Sequence, residues 1–352
     1  MNLYNYSYKY IMDLLKTMAE YRELVFALLI KEISQKEDSE EIANHYKIIR
    51  EYPLRKGKYI RPFLLLVACE MFGGNREKAI NTAVAMQLSE EWLLIHDDIE
   101  DDSDMRRGKP TLHKIYGIPI AINAGDALYL IMMNVLRKNR EILGDDITFE
   151  IIDIFYNTLE RTSEGQYIEC YWTESVKEDF SDEDYYKIVE GKTCLYTITT
   201  PLLLGARIAG IPKEEIGFVY LLGNALGKAF QIQDDVLNLI GEEKVYGKEI
   251  AGDIWEGKLT LMFAHLIKNC TTDEKKKVIE IYRKKRDTKT CDDINYILNL
   301  MKVYGSIRYA SEKAKEFTEK AKTIFTESTI NINNSYKDLL IEAFNFMITR
   351  KV

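Results

Sequence analysis

Two short acidic clusters constrain this chain more strongly than any other feature of its sequence. One cluster, at residues 97–101, reads DDIED, and the other, at residues 234–238, reads DDVLN. Each places an acidic or amide side chain at its first, second and fifth positions. On an α-helix the first and fifth positions share one face, and the second lies about 100° away. Carboxylates gathered on an inward face repel one another unless a cation offsets their charge.

The oxygen atoms of these clusters are hard ligands, which suit Mg²⁺. This ion usually binds one or two carboxylates and completes its octahedron with water and substrate phosphates. We therefore predict two facing walls that hold a diphosphate between them through metal ions, with Mn²⁺ able to substitute. The second residue of each cluster is expected to act from behind the metal ligands or through metal-bound water. The six candidate metal-binding residues are Asp97, Asp98, Asp101, Asp234, Asp235 and Asn238.

Short motifs that combine glycine with lysine or arginine accompany both clusters. A site with many carboxylates and many fixed cations matches a substrate that is polyanionic and bound to metal. The motifs are GKYIRP at 57–62, RRG at 106–108, GKT at 191–193, GK at 247–248 and GK at 257–258.

The clusters and motifs, in this order, resemble those of the trans-prenyl diphosphate synthases, and most closely those of the geranylgeranyl diphosphate synthases. The resemblance extends from Tyr52 to Leu266 and includes the FQIQDD sequence around the second cluster. It implies the all-α isoprenoid synthase fold, with helices around a central cavity and the two clusters facing each other. It also implies that a homodimer joins isopentenyl diphosphate head-to-tail to an allylic diphosphate (dimethylallyl, geranyl or farnesyl), with three Mg²⁺ ions in each active site.

The resemblance divides the basic and polar residues between the two substrates. Lys58, Arg61 and Arg107 match the residues that bind isopentenyl diphosphate, and the planar guanidinium fork suits phosphate oxygens. Arg106 is expected to help neutralise the departing allylic diphosphate, which then accepts the proton that is lost. The resemblance further implies that the catalytic residues, which neutralise charge or stabilise the allylic cation, are Lys192, Thr193, Gln231, Lys248 and Lys258.

One residue of the substrate site departs from the family pattern. Seven residues before Asp97, where the family commonly carries a histidine that touches isopentenyl diphosphate, this chain has Glu90. A carboxylate there would repel a diphosphate unless it is protonated or paired with a nearby lysine or arginine. Milder departures are Asn238, which replaces a third aspartate, and Glu169, which stands where aspartate is frequent.

The residues just before Asp97 are expected to line the pocket for the growing prenyl chain. Trp92 matches the position at which short-chain members carry a bulky stop, and Leu93 at the next position is not aromatic. This combination is typical of a C20 product, with farnesyl (C15) or longer (C25 and above) products as alternatives. The competing interpretation of Trp92 is an ordinary core aromatic residue.

Bulk properties argue against several other classes of protein. A net charge of −8 is unlike that of a nucleic-acid-binding protein. Five widely spaced cysteines without a CxxC pair indicate reduced thiols in a cytoplasmic protein. The N-terminus lacks the arrangement of a signal peptide, and the longest apolar runs, 24–30 and 63–68, are too short to span a membrane.

The spacing of apolar residues predicts an all-α protein. Only six prolines interrupt the chain, and a periodicity of 3.6 residues marks helices at 82–94, 218–239 and 310–325. Strand signals are scarce. No low-complexity linker divides the chain, so we predict a single helical domain over residues 1–352. Loops are predicted near residues 73–75, 108–110, 210–212 and 241–252.

Three other functions share parts of this pattern. A class I terpene cyclase would need an NDxxSxxxE-like second motif, and it would not need Lys58, Arg61 or Arg107. A head-to-head synthase of the squalene or phytoene kind lacks the GKxxRP and RRG elements. A regulatory subunit of a heteromeric prenyl synthase would lose the acidic clusters and carry CxxxC motifs, which this sequence does not contain. Glu90 is the one feature that favours this last alternative.

Overall fold

Nearly all of the chain that the computed structural model describes is helical. The only strands in this part of the chain are β1 (Met105–Arg106) and β2 (Lys109–Pro110), which pair as one short antiparallel hairpin. The prediction of an all-α fold is therefore confirmed. The described residues are 3–33, 39–240, 250–328 and 334–349.

The described residues form α-helices of very different lengths, joined by short connections. A π-helix (Glu190–Thr199) and two 3₁₀ segments (Lys213–Glu215 and Arg286–Thr288) interrupt the series. In chain order the α-helices are α1 (Leu3–Glu32), α2 (Glu40–Ile49), α3 (Glu51–Leu54), α4 (Ile60–Met71), α5 (Arg76–Glu100), α6 (Leu112–Tyr116), α7 (Ile118–Arg137), α8 (Arg140–Leu143), α9 (Asp145–Ser175), α10 (Asp182–Val189), α11 (Thr200–Ile208), α12 (Phe218–Ile240), α13 (Gly252–Glu256), α14 (Leu261–Asn269), α15 (Thr272–Tyr282), α16 (Cys291–Val303), α17 (Ser306–Glu327) and α18 (Asn334–Thr349).

The long helices predicted from periodicity are present. Helices α5, α12 and α17 contain the predicted segments and extend beyond them. Polar side chains cap several helices: the Asn75 side chain accepts a hydrogen bond from the backbone at the start of α5, and Ser181, Thr271 and Thr290 form capping boxes. Such caps satisfy backbone N–H groups that have no partner within the helix.

The predicted loops agree with the structure in part. Residues 73–75 and 210–212 connect helices as predicted. The loop predicted at 108–110 is wrong, because this segment is the turn and second strand of the β1–β2 hairpin. Arg107 and Gly108 have φ angles of 52° and 72°, and two successive positive values are what a two-residue hairpin turn of type I′ requires. Of the loop predicted at 241–252, residues 241–249 lie outside the described residues, and α13 already begins at its end.

Two groups of buried apolar side chains form the core, and α12 contributes to both. The first group includes Leu64 of α4 and the second includes Phe263 of α14. From α12, Leu226 joins the first group and Val236 joins the second. The last turns of α12, which carry the second acidic cluster, are therefore fixed against the second group.

Lys192 and Thr193 lie in the π-helix. Helical turns of this kind are rare and occur frequently at functional sites. The π-helix crosses α9 at very close range: a Cβ atom on Gly165 would lie 2.7 Å from the backbone nitrogen of Lys192 and 2.9 Å from the carbonyl carbon of Gly191. Only glycine at this point of α9 allows the backbone that carries Lys192 to lie so close.

One helical stretch within the described residues, Ile118–Leu143, is long and apolar enough to cross a membrane by length and composition. Its mean hydropathy is 1.4, and 33% of its most apolar window is buried within the protomer. A search for unbroken apolar runs misses this stretch, because Asn123 and Asp126 interrupt it. The stretch comprises α7 and α8, which leave several large apolar side chains exposed.

We expect Gly165→Ala to destabilise the protein, because its methyl group would overlap the backbone at Lys192. Overpacking of this kind typically lowers the free energy of unfolding by about 1–3 kcal/mol, more than the roughly 1 kcal/mol that alanine adds in helix propensity. Denaturant unfolding would measure the loss, with Ser163→Ala on the exposed face of the same helix as the control. Equal stability of the two variants would contradict the close approach.

Candidate active site

The first acidic cluster lies at the C-terminal end of α5. Asp97 and Asp98 belong to its last turns, and Asp101 is the residue that follows the helix. The carbonyl groups and dipole of a helix C-terminus disfavour negative charge, and the last turn of α5 contains no basic residue. Stabilisation of these carboxylates must therefore come from cations on other segments.

Lys192 of the π-helix supplies one such cation. Its Nζ lies 2.8 Å from Oδ1 of Asp97 and 2.6 Å from Oε2 of Glu169 on α9. Arg106 approaches the other oxygen of Asp97 at 3.4 Å. Burial alone would raise the pKa of Asp97, but Lys192, Lys258 and Arg106 outweigh it and hold this pKa well below its usual range. Asp97 is therefore a stable carboxylate.

Lys258, just after α13, supplies a second cation. Its Nζ lies 2.6 Å from Oδ2 of Asp101 and 3.3 Å from Oε2 of Glu256. The Glu256 carboxylate also accepts a hydrogen bond of 2.7 Å from the Ser103 hydroxyl and lies 3.7 Å from Arg286. Burial raises the pKa of Asp101 despite the attraction of Lys258. Glu256 thus ties the lysine to the segment that follows the first cluster.

Asp98 lies behind the other two carboxylates and is completely buried. It accepts a hydrogen bond of 2.5 Å from the Tyr52 hydroxyl and paired hydrogen bonds from the guanidinium of Arg106. Arg106, itself only 8% exposed, spans from Asp98 to Asp97. In this geometry the Asp98 carboxylate holds Arg106 beside Asp97.

The two arginines of the β1–β2 hairpin, Arg106 and Arg107, point in different directions. Arg106 reaches the first cluster, whereas Nη1 of Arg107 donates to Oε2 of Glu91 at 2.8 Å and to the backbone carbonyl of Tyr52 at 3.0 Å. A Cβ atom on Gly57 would lie 2.6 Å from the Arg107 guanidinium, so the glycine of the GKYIRP motif leaves room for this side chain.

Two of the three residues predicted to bind isopentenyl diphosphate, both of them arginines, meet around Glu90. Nη1 of Arg61 lies 3.0 Å from Oε2 of Glu90, and Nη2 of Arg107 lies 3.8 Å from its Oε1. Arg61 also donates to the Thr197 hydroxyl at 2.9 Å. Lys58 is exposed in the preceding loop. Glu90 is therefore paired with arginine, which is the condition under which a carboxylate is tolerated here.

The second acidic cluster lies in the last two turns of α12. Asp234 is partly exposed. Asp235 is buried and accepts hydrogen bonds from the Tyr185 hydroxyl at 2.6 Å and from Nε2 of Gln231 at 2.8 Å. Burial raises the pKa of Asp235 against the opposing effect of these two hydrogen bonds. The side-chain oxygen of Asn238 accepts a hydrogen bond of 3.1 Å from the backbone N–H of Asp253.

A chain of hydrogen bonds joins the π-helix to this second cluster. The Thr193 hydroxyl donates to Oε1 of Gln231 at 2.9 Å, and the amide nitrogen of Gln231 donates to Asp235. The Glu169 carboxylate acts electrostatically on Asp235 as well as on Lys192 and Lys258. The two clusters therefore share one electrostatic environment, with Glu169 between them.

The remaining predicted residues lie elsewhere. The Trp92 ring packs against Tyr129 of α7, with ring centroids 4.9 Å apart, and against His96 at 6.1 Å. Leu93 packs on the first group of buried apolar residues. Lys248 lies outside the described residues.

Four residues that hold the motif side chains in place were not identified from the sequence. Each contacts a different residue of the motifs or acidic clusters, and the four are Tyr52, Glu91, Tyr185 and Glu256. Glu256 lies two residues before the motif lysine Lys258, and Glu91 follows Glu90, so proximity to a motif is a usable signal for both. Tyr185 carries no such signal, because α10 comes next to α12 only through folding.

The donor set fits a divalent metal ion. Among the described residues, no three histidine, cysteine, aspartate or glutamate side chains form a cage that would hold a metal without other ligands. Mg²⁺ does not need such a cage, since it usually takes one or two carboxylates together with water and substrate phosphates. Asp97 and Asp101 offer two hard carboxylates one helical turn apart.

Comparison with known proteins identifies the family. The chain matches the polyprenyl synthetase family over residues 43–301. It is 33% identical over 266 residues to the geranylgeranyl diphosphate synthase of Sulfolobus acidocaldarius, covering 75% of this chain and 78% of that protein. It is 29% identical over 297 residues to the geranylfarnesyl diphosphate synthase of Aeropyrum pernix, covering 84% and 90%. The crystal structure of geranylgeranyl pyrophosphate synthetase from Pyrococcus horikoshii has a TM-score of 0.82 and 31% identity, covering 96% of this chain and 99% of that one.

The match includes both acidic clusters and all of the basic motifs. The structural similarity extends over almost the whole chain. Members of the family generally depend on a divalent metal ion. This chain therefore belongs to the polyprenyl synthetase family and is a prenyltransferase of isoprenoid biosynthesis, similar to the geranylgeranyl diphosphate synthases.

Proposed function

We propose that this prenyltransferase extends an allylic diphosphate (dimethylallyl, geranyl or farnesyl) by head-to-tail addition of isopentenyl diphosphate, with geranylgeranyl diphosphate (C20) as its product. The observation that carries the proposal is the pairing of Asp97 with Lys192 and of Asp101 with Lys258. Two carboxylates at one helix end each face a lysine from a separate segment. This alternation of charge suits a substrate that is polyanionic and bound to metal.

Asp97, Asp101 and Asp234 are the residues that would hold Mg²⁺, with Mn²⁺ able to substitute. When bound, the metal would neutralise the charge that develops on the leaving diphosphate. Asp98 and Asp235 would act behind these carboxylates, because their oxygen atoms already accept hydrogen bonds from protein groups.

Fixed cations of the chain would stabilise the same developing charge. Lys192, Lys258 and Arg106 are each held by a carboxylate before a substrate arrives, so they need little reorganisation during the reaction. Carbonyl dipoles near Lys192 and Thr193, together with the amide of Gln231 beside the second cluster, would stabilise the positive carbon electrostatically. The proton lost in the last step would pass to the released diphosphate.

The second substrate would bind to the basic cradle, which consists of Lys58, Arg61 and Arg107. Both arginines reach the same carboxylate, that of Glu90, at 3.0 Å and 3.8 Å. Two guanidinium groups that can contact one carboxylate are close enough to bind one diphosphate together. This geometry supports the cradle as the site of isopentenyl diphosphate.

Product length would depend on the side chains just before Asp97. Trp92 is the bulkiest of them, and its packing against Tyr129 fixes the ring between α5 and α7. We propose that this ring and Leu93 end the pocket at C20. A C25 product is the main alternative, since the relatives include both geranylgeranyl and geranylfarnesyl diphosphate synthases.

We also propose a cytoplasmic homodimer of single-domain chains. Large apolar side chains on α7 and α9 are exposed, among them Leu130 at 66%, Phe149 at 59% and Tyr156 at 65%. Exposed apolar side chains on neighbouring helices are typical of interfaces, and a second copy of the same chain would cover them symmetrically. The proposal of one domain over residues 1–352 is supported by α12, which contributes to both groups of buried apolar residues.

The main test is a turnover assay with Mg²⁺, labelled isopentenyl diphosphate and each allylic diphosphate in turn. The wild-type protein should elongate the starters, and Asp97→Ala and Asp234→Ala should each lower turnover by about 10³-fold or more, because charge neutralisation at the leaving group is lost. Circular dichroism should show unchanged helicity. Asp292→Ala, at an exposed position of α16, is the matched control. Near-normal rates in either active-site variant would refute the metal-binding assignment.

Trp92→Ala should shift the products to C25 or longer, because removal of the indole opens the end of the pocket. Chromatography of the dephosphorylated alcohols would measure the shift. Trp172→Ala removes a half-buried tryptophan that packs on Phe180 and is the matched control. An unchanged product length in Trp92→Ala would contradict the proposal that Trp92 limits the length of the prenyl chain.

Light scattering should give twice the mass of one chain for the wild type. Leu130→Asp should shift the protein toward monomer, because a buried unpaired carboxylate would disfavour the interface. Val303→Asp, at an apolar side chain of α16 that is 70% exposed, is the control. A monomeric wild type that instead binds lipid vesicles would assign the α7 surface to a membrane.

A further inference from the structure

We propose that Glu90 is an internal competitor for the second diphosphate. In the free enzyme its carboxylate bridges Arg61 and Arg107, and isopentenyl diphosphate has to displace it from them. The proposal rests on the function proposed above, in which these two arginines bind that substrate. It makes Glu90 a residue that sets the affinity of one substrate without taking part in the chemistry.

The Glu90 carboxylate lies between Arg61 and Arg107, where a phosphate group of the substrate would bind. Oε2 of Glu90 lies 3.0 Å from Nη1 of Arg61, and Oε1 lies 3.8 Å from Nη2 of Arg107. Each oxygen thus faces a different guanidinium. The Glu90 side chain is only 13% exposed, so solvent screens these contacts weakly. A diphosphate that takes the place of this carboxylate would lie between the same two guanidinium groups.

Both arginines have other partners that hold them when Glu90 moves away. Arg61 donates to Thr197 at 2.9 Å and stacks over the Tyr196 ring, with 4.5 Å from its guanidinium carbon to the ring centroid. Arg107 is held by Glu91 at 2.8 Å and by a backbone carbonyl. Glu90 is therefore not needed to position the arginines, and its removal should leave the basic cradle in place.

The charge balance leads to the same conclusion. Glu90 and Glu91 together offset the charges of Arg61 and Arg107. Glu91 is fully buried beneath Arg107 and remains with it. Glu90, whose side chain is 13% exposed, is the partner that can withdraw, and its withdrawal raises the net charge around the cradle by one unit. Binding of a diphosphate therefore exchanges one anion for another, which weakens apparent affinity.

Glu90→Gln tests the proposal, since it keeps the shape of the side chain and removes its charge. With saturating geranyl diphosphate and Mg²⁺, we expect the KM for isopentenyl diphosphate to fall about tenfold, with the KM for geranyl diphosphate within about twofold of wild type. Calorimetric binding of isopentenyl diphosphate alone, in the presence of EDTA, should show the same tenfold decrease in Kd. Glu90→His, which introduces the family's usual residue, should move both values in the same direction.

Glu150→Gln is the matched control. Glu150 is 14% exposed and also pairs with two cations, Arg207 at 2.6 Å and Lys213 at 3.2 Å, far from the basic cradle. It should leave both constants unchanged. An unchanged or higher KM and Kd for isopentenyl diphosphate in Glu90→Gln would overturn the proposal, and so would an equal change for both substrates.

The calorimetric measurement distinguishes a failure of this proposal from a failure of the function on which it rests. Arg61→Met should weaken binding of isopentenyl diphosphate at least tenfold if the cradle is the substrate site. Loss of that effect, or a wild type that elongates no starter, would overturn the proposed function. Tighter binding by Glu90→Gln that persists in EDTA concerns the competitor alone, because neither turnover nor metal contributes to it.

Discussion

The constraint on which this structure depends is the gathering of carboxylates at the C-terminal end of α5. A helix end of this polarity disfavours negative charge, and α5 provides no basic residue in its last turn. The cations come instead from three separate segments: Lys192 from the π-helix, Lys258 from the segment after α13, and Arg106 from the hairpin. Packing these segments around one helix end is what creates the central site.

Backbone features that would otherwise be unfavourable occur in the segments that carry two of these cations, Lys192 and Arg106. The π-helix carries Lys192 and needs the close approach that Gly165 allows. The hairpin turn places Arg107 at a positive φ, which is unusual for a residue with a side chain. Such features persist when the surrounding contacts determine them, and they cluster at functional sites. Here the surrounding contacts are ion pairs to carboxylates that themselves require a cation.

Periodicity and motif spacing were sufficient to predict the long helices and the proximity of Asp97 to Asp101, because both depend on the helical repeat alone. Partners from distant segments could not be predicted in the same way. Asp98 carries the same side chain as its neighbours, yet it faces Tyr52 and Arg106 and is completely buried. The direction in which the Asp98 side chain points depends on which segments pack behind α5. The apolar character of α7 was missed because its exposed face is defined by helical geometry rather than by an unbroken run.

The same ion pairs that stabilise the free protein occupy the groups that substrates would use. Lys192 contacts Asp97, Lys258 contacts Asp101, and Arg61 contacts Glu90. A partly buried charge cannot be left unpaired without a large loss of free energy, so the protein needs these internal partners when no ligand is present. Binding then replaces internal pairs with pairs to the ligand, and affinity reflects the difference between the two. In such a site the internal partner is as effective a means of setting affinity as the residue that touches the substrate.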